Sequence, residues 1–159
     1  MSSPSSNLQT LNILLERAEA ERDEALKAWQ EAQTRAAQAR EQAAQLTQYR
    51  LDYQQRWGQQ FAKAATMDIV GCYQNFGGKL DQAIDSQGNV ANHADVRVER
   101  ARIALKEKEM RAAAIGKLIE RRRLESGLAA QRQEQKASDE QAARAASVAG
   151  SNPLRRLHA

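Results

Sequence analysis

The stretch LQTLNILLERAEAERDEALKAWQEAQTRAAQAREQAAQLTQYRLDYQQRW, residues 8–57, sets the fold. It contains neither Gly nor Pro, so nothing in it breaks a helix. Alternating steps of three and four residues from Leu8 reach Leu11, Leu15, Ala18, Arg22, Ala25, Trp29, Ala32, Ala36, Ala39, Ala43, Leu46, Arg50, Tyr53 and Trp57. Thirteen of these fifteen positions are apolar or aromatic, the exceptions being Arg22 and Arg50. A 3.5-residue period kept over seven heptads is the mark of a coiled coil, because only a supercoiled helix holds such a seam against one partner. As a single helix, residues 5–57 would extend about 80 Å at 1.5 Å per residue. Ser5, Ser6 or Asn7 is placed to cap its first turn. Asp23 with Lys27, Glu31 with Arg35, and Asp52 with Arg56 set an acid four residues before a base, the favourable order for solvated helix-surface pairs.

Gly58 is a stop signal, and Thr66 or Asp68 can cap a second helix starting near Met67, so a turn is expected over about 58–66. The same count from Leu80 gives Ile84, Gln87, Ala91, Ala94, Val98, Ala101, Leu105, Lys108, Ala112, Ile115 and Ile119, ten of twelve apolar. Gly71, Gly77, Gly78 and Gly88 each weaken this opening section by about 1 kcal/mol relative to Ala, which predicts softness there. Beyond Leu118 the period dissolves into charged and Ala-rich sequence, with a Glu140–Arg144 surface pair. Gly150, Asn152 and Pro153 then end the helix near 149 and leave a flexible tail over 150–159. Two seams of comparable length in one chain can bury each other. The expected fold is therefore all-α: an elongated two-helix antiparallel coiled coil, a single hairpin rod spanning 1–159 and monomeric. Its helix 1 covers about 8–57 and its helix 2 about 67–149, the latter projecting unpaired at its C-terminal part. A parallel dimer serving as a structural scaffold is the competing arrangement.

Composition narrows the function. Thirty of the 159 residues are Ala and eighteen are Gln, so much of the 42% hydrophobic content is methyl-sized and cannot fill a thick globular interior. A two-helix rod offers no concave pocket in which to hold a nucleophile and base, so no catalytic residue and no cofactor site is expected. His93, His158 and Cys72 lie too far apart to ligate a metal, and Gly78-Lys79 lacks the other residues of a phosphate loop. One cysteine excludes an internal disulfide and fits a reducing, cytoplasmic setting. No leader pattern opens the sequence, and no apolar run approaches the roughly 18 residues of a membrane span.

Charge and aromatic content are uneven. The formal charge of +4 comes from the second half: residues 96–159 carry fifteen bases and eight acids, residues 1–60 seven and eight. Arg121, Arg122 and Arg123 form the densest run. Such a run is either a solvated face or a dock for an acidic surface. No nucleic-acid motif accompanies it and no Phe, Tyr or Trp follows Phe76, so protein, not nucleic acid, is the expected partner. The rings of Tyr49, Tyr53, Trp57, Phe61, Tyr73 and Phe76 gather toward the bend. There they either plug wide places in an Ala-lined seam or anchor a partner.

Three groups of residues carry a family resemblance: Gln45-Leu46 with Tyr49 and Tyr53; Tyr73-Gln74-Asn75-Phe76 with Leu80, Ala83 and Ile84; and Glu134-Gln135-Lys136 with Asp139-Glu140 and Arg144-Ala145-Ala146. In this order and spacing the chain resembles FliJ, the small coiled-coil component of the flagellar type III export apparatus, from about Leu8 to Ala146. The resemblance implies an antiparallel two-helix rod similar to the central stalk subunit of rotary ATPases. It implies partners as well: the export ATPase hexamer, whose ring assembly FliJ proteins promote, the membrane-embedded export gate, and export chaperones. The location implied is cytoplasmic, peripheral to the inner-membrane base of the apparatus, in the service of flagellum assembly, motility and chemotaxis. The family's gate-contact stripes match Gln42, Leu46, Tyr49 and Tyr53 on the first helix and Phe76, Leu80, Ala83 and Gln87 on the second. In both sets the spacings are four, three and four, so each lies along one helical face. Leu46 and Tyr53 also belong to the seam, which favours a core role for Leu46, whereas Tyr49 falls beside it and is the better exposed contact. Arg121, Arg122 and Arg123 are the candidate contacts to the ATPase ring.

Overall fold

A computed structural model of the chain describes residues 3–63 and 66–151. Two α-helices account for nearly all of them: α1, Pro4–Lys63, of 60 residues, and α2, Met67–Gly150, of 84. The cap of α1 is Ser3, not Ser5, Ser6 or Asn7. Its Oγ accepts the Ser6 backbone N–H at 3.3 Å, and Pro4 takes the first helical position, where its missing N–H costs nothing. At the start of α2, Thr66 Oγ1 accepts the Ile69 N–H at 3.4 Å, and Asp68 stands in the first turn, where a negative charge suits the helix dipole.

Contact density divides the chain into two units, Ala18–Arg111 and the described residues up to Arg17 with those from Ala112 onward. Within Ala18–Arg111 the helices pair antiparallel. Glu21, Arg40 and Arg50 of α1 meet Lys108 (3.1 Å), Asp95 (2.6 Å) and Asp81 (3.0 Å) of α2, so a rising number on one helix meets a falling number on the other. The core is methyl-sized: Ala18, Ala36, Ala39 and Ala91 are buried, with Leu80 and Leu105 the only large buried side chains among this unit's described residues. Ala36 has no exposed surface at all, so the facing helix and the side chains around it close completely over its methyl group. In the other unit, Leu8, Leu11 and Leu15 are half-buried, and Ala112 and Ile119 are buried on either side of half-buried Ile115. From Glu120 to Ser151 every residue is exposed, including Leu124 at 70% and Leu128 at 53%.

All fifteen seam positions counted in the first helix and all twelve in the second are buried or half-buried. The polar ones lean to the edge and take partners. Lys108 donates to Glu21, Gln87 to Gln42, and Arg22 to Asp23 at 3.1 Å. Asp23 is thus engaged by Arg22, and Asp52 accepts from Gln48 at 3.1 Å.

The bend departs from the sequence expectation. α1 does not stop at Trp57 but runs through Gly58 to Lys63, and the connection narrows to residues 64–66, of which only Thr66 is among the described residues. The cause is aromatic: Phe61 sits 5.6 Å from Trp57 and packs edge-on against Tyr73 at 5.3 Å. One further turn of helix therefore buries a ring, which offsets the roughly 1 kcal/mol that Gly58 costs inside a helix. Likewise α2 is unbroken through Gly71, Gly77, Gly78 and Gly88. The tail expected over 150–159 lies, beyond Ser151, outside the described residues, and so does His158.

Candidate partner-binding surface

Five rings form one cluster where the helices converge on the bend. Tyr53, Trp57 and Phe61 come from successive turns of α1, and Tyr73 and Phe76 from α2. Tyr73 is central. It stacks on Tyr53 (5.5 Å, planes 15° apart), meets Trp57 at 6.0 Å and takes the edge contact with Phe61. Phe76 lies 4.9 Å from Tyr53. Tyr53 and Trp57 are half-buried, so both rings fill the seam, while Phe76 keeps 41% of its surface. Desolvation raises the Tyr53 phenol pKa above its ordinary value, helped by Tyr73 and Tyr49 and opposed by Arg50.

Directly below this cluster Arg50 occupies a seam position. Its side chain is 22% exposed, and Nε donates to Asp81 Oδ1 at 3.0 Å. Its guanidinium carbon stands 5.9 Å from the centre of the Tyr73 ring. Side-chain hydrogen bonding with Tyr73 and with Asp81 raises its pKa, outweighing desolvation. Arg50 fits here because Gly77 has no side chain: a Cβ at that position would lie 3.1 Å from Nη2 and 3.3 Å from Cζ.

The two predicted stripes come together. Gln87 Nε2 donates to Gln42 Oε1 at 3.1 Å and to the Ala39 carbonyl at 3.4 Å, and at the other end Phe76 meets Tyr53. With both ends matched and the spacings equal, the register sets Leu46 across from Ala83 and Tyr49 across from Leu80. The eight residues differ in what they offer a partner. Gln42, Tyr49 (50%) and Phe76 (41%) are exposed; Leu46, Tyr53, Ala83 and Gln87 are half-buried; Leu80, at 7%, belongs to the core and supports the surface from beneath. Arg121, Arg122 and Arg123 lie on α2 with no residue around them buried from Glu120 onward, separate in sequence from the stripes. Asp81 was overlooked in the sequence, and Arg50, Tyr73 and Gly77, though named there as a seam exception, a ring near the bend and a helix-weakening glycine, were not joined into one site. The signal was present: carrying the count back from Leu80 by three, four and three reaches Gly77, Tyr73 and Val70, all buried or half-buried.

Among the described residues no group of three or more His, Cys, Asp or Glu is placed to hold a metal ion, and no helix is long and apolar enough to cross a membrane. A family model described as Flagellar FliJ protein matches residues 7–151, almost the whole chain. The chain belongs to the FliJ family. Neither a curated protein nor a solved structure gives a significant match. Membership assigns this FliJ-family chain to the flagellar protein export apparatus, with its partners among the components of that apparatus. The paired helices of Ala18–Arg111 are the antiparallel coiled coil expected of such a chain.

Proposed function

We propose that the chain is a non-enzymatic stalk and chaperone-escort component of the flagellar type III export apparatus, promoting assembly of the export ATPase ring and coupling it to the membrane export gate. In this reading it acts as a monomer on the cytoplasmic side of the inner membrane, peripheral to the apparatus. The gate contact is the paired stripe, and the observation that carries it is the juxtaposition of Gln42 with Gln87 and of Tyr53 with Phe76. That pairing leaves Tyr49 and Phe76 as large, half-exposed rings on a backing of packed side chains. Rigid aromatic anchors of this kind dominate interface energetics because few rotamers are lost on binding. Gln42 adds a polar rim. The contact to the ATPase ring is Arg121, Arg122 and Arg123, whose exposed charge would steer encounter with an acidic surface and fix orientation.

The test is co-purification with the export ATPase and a soluble gate fragment, with ATP hydrolysis followed as ring assembly is titrated. The chain should raise hydrolysis at limiting ATPase concentration and should sediment alone at monomer mass. Tyr49→Ala with Phe76→Ala should weaken gate-fragment binding while leaving ATPase stimulation intact. Normal gate affinity in a folded double variant would exclude this patch, and a concentration-dependent dimer would favour the scaffold reading.

A further inference from the structure

The alanine-lined part of the Ala18–Arg111 seam carries little information about register. Ala18, Ala25, Ala32, Ala36, Ala39 and Ala43 face a helix whose own seam includes Ala91, Ala94 and Ala101, and methyl against methyl looks much the same after a shift of one heptad. The bend does not remove the ambiguity. A turn begun at Gly58, which local sequence also favours, would pair the helices about one heptad away from the observed register. The contacts of Phe61 with Trp57 and Tyr73 favour the observed register, and Arg50 stands beside them in the seam.

We infer that Arg50, seated over Gly77 between Tyr73 and Asp81, is the positioning residue that fixes the register of the hairpin and thereby aligns the two stripes. Gly77 is the one glycine among the seam positions counted on α2, and a Cβ there would lie 3.1 Å from Arg50 Nη2. Sliding α2 by seven residues one way would put Val70 in place of Gly77, Gln74 in place of Asp81 and Thr66 in place of Tyr73. Sliding it the other way would bring Ile84, Gly88 and Leu80. Either slip crowds the guanidinium against a branched apolar side chain and takes away its carboxylate, leaving a desolvated cation without its partner. Gln87 and Lys108, the polar residues of the α2 seam, are less selective because their long side chains reach the edge of the seam, Lys108 keeping 39% exposure. Already in the native register Arg50 Nη1 is buried with no hydrogen-bond partner. An apolar residue there would suit the seam better, and the best-attested use of a polar residue in a coil seam at such a cost is to specify register.

The test uses the full chain with Cys72→Ser and one probe, Arg40→Cys, joined by a short bismaleimide to a second cysteine on α2. Asp95→Cys reports the native register, in which Arg40 and Asp95 meet at 2.6 Å. Gly88→Cys and Arg102→Cys report the two slipped registers, displaced by about 10 Å at 1.5 Å per residue. With Arg50 present, only the Asp95→Cys probe should link. Arg50→Leu should keep the helical content and melt no lower, yet the native link should fall several-fold as one of the slipped links appears. Arg50→Lys, which keeps the cation, should restore the native link. Gly77→Val, which fills the space under Arg50, should yield the slipped products by itself. A native-only pattern in a helical Arg50→Leu chain would overturn the inference and give the register to the bend. The consequence for the gate rests on the function proposed above. The cross-links are read without any partner, so loss of gate binding with an unchanged link pattern would count against the register lock, and a slipped pattern with normal gate binding against the patch.

Discussion

Replacing Ala36 with Leu tests how closely the two helices approach. Ala36 has no exposed surface, and Ala37, its neighbour in sequence, is exposed. Leu and Ala have nearly the same helix propensity, so Ala36→Leu and Ala37→Leu differ almost entirely in what the added carbons meet. At Ala37 they meet water, and the change in stability should stay within about 0.5 kcal/mol. At Ala36 they meet the facing helix, in a seam where Ala39 of α1 and Ala91 of α2 are buried as well. The backbones must part locally, and overpacking of this kind costs about 1–3 kcal/mol. For a chain of this length about 1 kcal/mol lowers the melting temperature by roughly 2–4 °C, so a fall of roughly 2–12 °C is expected. Thermal unfolding followed by far-UV circular dichroism, at two protein concentrations, measures both variants. In a coiled coil with ordinary interhelical spacing, Leu at a seam position adds buried area and stabilises. A melting temperature that rises in Ala36→Leu, or that moves equally in both variants, would therefore refute the close methyl-lined contact.

Two further outcomes follow from charge and titration. The Tyr53 phenol titrates above its unfolded value, so its contribution to stability is complete below about pH 10 and is lost as pH rises through the folded value. Melting temperature should accordingly decline above that pH, with a shallower slope in Tyr53→Phe; identical slopes would remove Tyr53 from the account. Reversing Arg121, Arg122 and Arg123 to Glu should leave the melting temperature nearly unchanged, because nothing is buried against them. It should also weaken ATPase association most at low ionic strength, where charges are least screened. Normal, salt-insensitive association would contradict a role for this run.

The pairing was legible because heptad spacing is a statement about faces. Once Leu8 and Trp57 are joined by steps of three and four, every position between them is assigned to the buried side, and even Arg22 and Arg50 obey. The bend was not legible, for a reason that lies in the same rule. Gly58 and Gly77 carry one propensity, that of a residue poor in helices, yet the structure uses them differently: Gly58 has open space where a Cβ would stand, and Gly77 has the Arg50 guanidinium. Propensity is a local quantity, and the difference depends on what arrives from α1. Phe61, by packing against Trp57 and meeting Tyr73, likewise overrides a stop signal that is correct for an isolated segment.

The candidate surface was half legible for a related reason. A spacing of four, three and four shows that Gln42, Leu46, Tyr49 and Tyr53 share a face, but it cannot say how far that face turns toward the partner helix. The ring contacts supply the missing angle. Because Tyr53 stacks on Tyr73 inside the seam, Tyr49, four residues earlier, is rotated to its edge and keeps half its surface. Because Leu80 is held in the core, Phe76, four residues before it, is turned to the edge of the opposite helix. The exposed rings are thus set by the buried ones. A shift of register by a heptad would leave every helix intact and every seam position apolar or nearly so, yet it would separate Tyr53 from Phe76 and Gln42 from Gln87. The surface is in this sense a property of register, and the seam positions that tell one register from another are those that are neither alanine nor leucine.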